Sequence, residues 1–154
     1  MKAVLISIQP KWCELIASGK KKVEVRKTKP KLETPFKVYI YCTKGETVYL
    51  PKDIFGNEHL NGKVIGEFVC DEITTAKLGN YCNISLTDAC LDAYELMDYA
   101  DDKPLYGWHI SDLVIYDEPM CLGDFNHCGV NYHFNPLVTR PPQSWCYVER
   151  LGEG

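Results

Sequence analysis

The chain has 154 residues, 45% of them hydrophobic and 25% charged, enough for one domain around a buried core. That balance excludes a disordered tail, a collagen-like repeat and a membrane protein. The formal net charge of −4 conceals a split: residues 1–52 carry 12 Lys/Arg against 4 Asp/Glu, whereas residues 53–154 carry 5 against 17. Such asymmetry lets an acidic protein present one basic face.

Lys2–Ile8 is a short β-branched run and reads as a strand. Pro10 then opens a helix, with Trp12, Leu15 and Ile16 at helical spacing and Gly19 as its C-terminal stop. Val23–Arg26 alternates apolar and charged residues, which makes it a strand with Glu24 and Arg26 on one face. After a Pro30–Pro35 loop, Phe36–Thr43 alternates strictly and reads as a strand. Lys44–Asn61 is a turn-rich excursion, and Lys63–Ile73 is a long strand with a bulge expected at Gly66.

Leu78–Ser85 reads as irregular. Thr87 is placed to cap a helix over Asp88–Tyr99, with Leu91, Tyr94 and Met97 as its apolar stripe and Asp92, Glu95 and Asp98 on a solvated face. Trp108–Tyr116 is a further strand, ended by Glu118-Pro119, and Met120–Pro136 is loop-like. Ser144–Leu151 closes the chain as a strand after Arg140-Pro141-Pro142. Five or more strands with two inserted helices predict one small α+β domain, built on a mixed, curved sheet or barrel.

The N-terminal apolar run is too short for a signal peptide and no stretch approaches 18 apolar residues, so a cytoplasmic protein is expected. In that reducing setting the eight cysteines read as free thiols. Cys121, His127, Cys128 and His133 are the one cluster with metal-ligand types. Their spacing matches no zinc signature, and no metal or cofactor is expected.

Catalytic signatures such as a phosphate-binding loop or a nucleophile elbow are missing. Chemistry concentrates instead in Gly19-Lys20-Lys21-Lys22-Val23-Glu24-Val25-Arg26, four cations around one carboxylate at a helix-to-strand turn. A lysine held there is a phosphate contact or, when desolvated, a base. The plainer alternative is a solvated basic turn that blunts an edge strand. Trp108 and Trp145 are either stacking platforms for a base or core residues, while Trp12 reads as core. Arg140 and Ser144, on the approach to the last strand, are candidate phosphate and site contacts beside an ordinary-loop reading. His109 is a general acid or base by type, or a hydrogen-bonded structural group.

Gly19-x-Lys21-x-x-Glu24-x-Arg26 resembles the Gly-x-Lys-x-x-Glu-x-Arg signature of ASCH domains (activating signal cointegrator homology) in the PUA-like superfamily. The resemblance implies a single domain over 1–154: a PUA-like small mixed β-barrel with two or three short helices and a basic cleft for RNA or a modified nucleotide. It carries Gly19, Lys21, Glu24 and Arg26 over as cleft residues, with Lys21, oriented by Glu24, as the catalytic candidate in enzymatic relatives. Lys20, Trp108, Arg140, Ser144 and Trp145 complete the expected nucleic-acid contacts. Some small ASCH-type proteins resemble amidohydrolases acting on N4-acetylcytidine, with a threonine where this chain has Glu24, and others are ribonucleases. A third reading is a protein-binding regulator that uses the acidic C-terminal part as a nucleic-acid mimic.

Overall fold

Alternation in the first strands places apolar side chains on both of their faces, and this decides where the core lies. The computed structural model describes residues 1–45, 60–129 and 135–152. Its strands are β1 (Lys2–Ile8), β2 (Val23–Arg26), β3 (Phe36–Cys42), β4 (Val64–Ala76), β5 (Leu105–Met120) and β6 (Trp145–Glu149). Its α-helices are α1 (Pro10–Ala17), α2 (Leu86–Ala89) and α3 (Ala93–Ala100).

The six strands form one mixed sheet in the order β2-β5-β4-β3-β1-β6. Among the described residues only β1 and β3 run parallel; the other neighbours are antiparallel. Val4, Ile6 and Ile8 share one core with Val38, Ile40, Phe68 and residues of α1. Leu5, Tyr39 and Tyr41 point the other way and pack with Phe125, Val138 and Val148. Each such aliphatic side chain stabilises the fold by about 1.5–3 kcal/mol, so two-sided burial ties the centre of the sheet down most firmly. Gly66 lies where the register of β4 shifts, and a Cβ there would run into the Val114 carbonyl oxygen.

The expected closed barrel is not formed. Among the described residues β2 pairs with β5, β6 pairs with β1 and takes a further bridge from His127 to Val148 on its other side, and no ladder joins β2 to β6. Side chains bridge the seam instead: Arg26 bonds to Ser7 and Ser144, Trp145 Nε1 donates to Thr28 Oγ1 at 2.9 Å, and Lys31 N donates to the Tyr147 hydroxyl at 2.7 Å.

The single helix expected over Asp88–Tyr99 is two. Ser85, not Thr87, caps α2, and Cys90 then adopts a left-handed φ of 57° that breaks the helix. Asp92 starts α3 with a capping box: Glu95 N donates to Asp92 Oδ1 at 2.7 Å and Asp92 N to Glu95 Oε1 at 3.2 Å. This restart turns Leu96 and Ala100 inward, while Tyr94 and Met97 of the expected stripe are 78% and 58% exposed. Strand β5 also continues past Glu118-Pro119, because Pro119 falls in a stretch of shifted register between the Ile115 and Met120 pairings.

Candidate functional site

Helix α1 ends in a Schellman turn. Lys20 N donates to the Leu15 carbonyl at 3.1 Å, Gly19 N donates to Ile16 at 3.0 Å, and Gly19 takes a φ of +81°. The turn delivers Lys21 into the interior, and Lys22 N then donates to the Asp88 carbonyl at 2.7 Å, tying the motif to α2.

Lys21 is 2% exposed. Its ammonium donates to the Ala89 carbonyl at 2.5 Å, stands 3.9 Å from Glu24 Oε1 and lies over the Trp12 ring at 4.6 Å. Burial lowers its pKa, and the Glu24 carboxylate opposes that shift. Arg26 Nη2 donates to the Ser7 carbonyl at 2.6 Å, and Nη1 donates to Ser144 Oγ at 3.1 Å. Glu24 lies between the two cations, with Oε1 accepting from Val25 N at 3.1 Å and Oε2 at 3.6 Å from Arg26 Nη2. Oε2 is buried and has no hydrogen-bond partner among the described residues.

These groups line a pocket of about 560 Å³. Trp12 of α1 and Tyr94, Glu95, Asp98 and Tyr99 of α3 form its walls, and Ser7, Gln9, Thr43 and Gln143 add polar groups. Glu24, Glu95 and Asp98 set three negative charges against the two of Lys21 and Arg26. The lining is therefore not the basic cleft expected from the motif. Cations gather outside it: Lys11 lies over the Trp12 ring at 4.4 Å and Lys27 over Tyr99 at 4.7 Å.

The other expected residues are placed differently. Gly19 and Lys20 are exposed and do not line the pocket. Open space surrounds the position of a Gly19 Cβ, so its freedom serves the turn. Trp108 is fully buried against Phe36 and Trp145, with Nε1 donating to the Thr28 carbonyl at 3.3 Å, which takes its ring out of reach of a base. Trp145 is half-buried beside it, away from the pocket. Ser144 positions Arg26, and Arg140 is exposed outside the cavity. His109 stands opposite Val23 in the β2–β5 ladder, with Nε2 at 3.0 Å from Thr74 Oγ1, and does not line the pocket. Trp12, read as core, proves to be a pocket wall as well.

Among the described residues no three His, Cys, Asp or Glu side chains converge as metal ligands, and His133 lies outside those residues. All eight cysteines are free thiols. No helix among the described residues is long and apolar enough to cross a membrane. The α3 residues were not legible as site residues; two tyrosines on an otherwise acidic helix were the available signal.

An open mixed sheet with a helix-to-strand motif at the mouth of an aromatic pocket defines the class. Residues 6–81 match the ASCH domain, so the chain carries an ASCH domain over that segment. Its fold is similar to that of ASCH from Zymomonas mobilis, at a TM-score of 0.61 and 20% identity over 96% of this chain and 88% of that one. A tyrosine-to-phenylalanine variant of that organism's ASCH protein gives a TM-score of 0.68, at 20% identity over 97% and 92%. A serine-to-alanine variant gives 0.67, at 20% identity over 96% and 89%. No curated protein matches the sequence.

Proposed function

We propose that the chain binds RNA or a modified nucleotide at the motif pocket, taking one base into the cavity while phosphates run along lysines outside it. The observation that carries this reading is the set of Trp12, Tyr94 and Tyr99 around a 560 Å³ pocket, with Lys11 and Lys27 seated on two of those rings. An aromatic wall contributes about 1–3 kcal/mol per stacked base, and the exposed lysines supply the salt-dependent part of binding. Lys21 and Arg26 are engaged by internal carbonyls and Glu24, so their role is to hold the pocket's shape. A titration of short single-stranded RNA against rising salt tests this. Tyr94→Ala is expected to weaken binding at every salt concentration, and Lys11→Ala with Lys27→Ala to flatten the salt dependence. No affinity at low salt, or affinity indifferent to Tyr94→Ala, would sink the reading.

A hydrolytic reading rests on Lys21 alone, whose depressed pKa beside Glu24 is a property of general bases. It requires product from RNA or an acylated nucleoside that disappears in Lys21→Met while the fold persists. Absence of product at protein excess removes it for those substrates.

A further inference from the structure

The pocket wall holds one buried acceptor that no described residue hydrogen-bonds. Glu24 is 6% exposed and lines the cavity, and its buried Oε2 has no hydrogen bond among the described residues. Neither neighbouring cation supplies one. Lys21 lies 3.9 Å from the other oxygen and spends a short bond on Ala89, while Arg26 Nη2 is 3.6 Å from Oε2 and directs its short bond to Ser7. A buried carboxylate oxygen left open is costly, and the cost is recovered when a ligand brings a donor. Glu95 and Asp98 on the facing helix disfavour a second acceptor or an anion in the same space.

We infer that the pocket selects bases carrying an exocyclic amino group, whose N–H donates to Glu24 Oε2. This rests on the base-binding reading above and adds the chemical class of base to it. A base with a carbonyl oxygen at that position would set two acceptors against each other. Aromatic walls stack either kind, so the choice falls to the carboxylate.

Two matched nucleoside pairs isolate that one group: adenosine against inosine, and cytidine against uridine. Each is titrated into the wild-type chain, with the indole N–H signal of Trp12 followed by NMR. The amino member of each pair is expected to bind about tenfold more tightly, the size of a good side-chain-to-base discrimination. Glu24→Gln presents an amide that donates as well as accepts, so the preference should shrink or reverse in a variant that still folds. The wild-type pairs decide the matter even where that variant does not fold. Equal affinities within both pairs, or tighter binding of inosine and uridine, overturn the inference. If short RNA binds but none of the four nucleosides does, the inference fails alone; if neither binds, the base-binding reading fails with it.

Discussion

Arg26 Nη1 donates to Ser144 Oγ at 3.1 Å, across the gap between β2 and β6, the two end strands of the sheet. With Nη2 on the Ser7 carbonyl, one guanidinium fork does at this seam what a backbone ladder would do in a closed barrel. The same side chain neighbours Glu24, so the closure of the fold and the electrostatics of the pocket share a residue.

Arg26→Ala should therefore destabilise the protein by about 2–4 kcal/mol, because it removes charged hydrogen bonds and strands a buried carboxylate. Arg26→Lys should recover only part of that loss, since an ammonium cannot span both partners. Urea denaturation of the three proteins checks the order; an Arg26→Lys variant as stable as wild type would show that charge alone holds the seam.

Lys21 makes stability depend on pH. Its pKa is lowered in the folded state, chiefly by burial, so the unfolded chain binds more protons in the window between that lowered value and the ordinary 10.5. Stability from this group therefore rises with pH through the window. Comparison with Lys21→Met cancels the tyrosines that titrate nearby. The wild type should gain on the variant as pH climbs toward 10.5, and a flat difference would mean that Lys21 is not desolvated.

Asp92→Ala removes the N-cap of α3 and should cost about 1 kcal/mol. Because α3 carries Tyr94 and Tyr99, amide exchange in 93–100 should quicken and base binding should weaken with it. Exchange unchanged across that helix would mean the packing of Leu96 and Ala100 suffices to hold it.

The thiols divide by environment. Burial pushes Cys70 up to about 12 and Cys146 to about 11, whereas Cys82 and Cys121 are exposed. Brief alkylation of the native protein near neutral pH, read by mass spectrometry, should label Cys82 and Cys121 first and reach Cys70 only on unfolding. Labelling of Cys70 at the rate of Cys82 would contradict its burial.

Local pattern and tertiary packing agree over several elements. Lys2–Ile8 and Val23–Arg26 have the bounds expected of them, Gly19 ends α1, and Gly66 marks a register shift. Each of these depends on neighbours in sequence: alternation, a positive φ, a missing Cβ. Asp88–Tyr99 went differently because apolar spacing alone does not reveal a left-handed Cys90, and one break rotates every later side chain. Trp108 could not be assigned from its neighbours either, since Phe36, Thr28 and Trp145 reach it from distant parts of the chain.

By itself the sequence determined a mixed α+β fold with a Gly-x-Lys-x-x-Glu-x-Arg turn and a basic N-terminal third. Tertiary structure alone decided that the turn's central lysine is buried, that Ser144 and Ser7 take the arginine, and that acidic α3 forms the opposite wall. Counting charges along the chain predicts a basic cleft because it cannot see which carboxylates fold back against which cations. Electrostatic interactions depend on separation in space and on burial, and only the folded chain sets either.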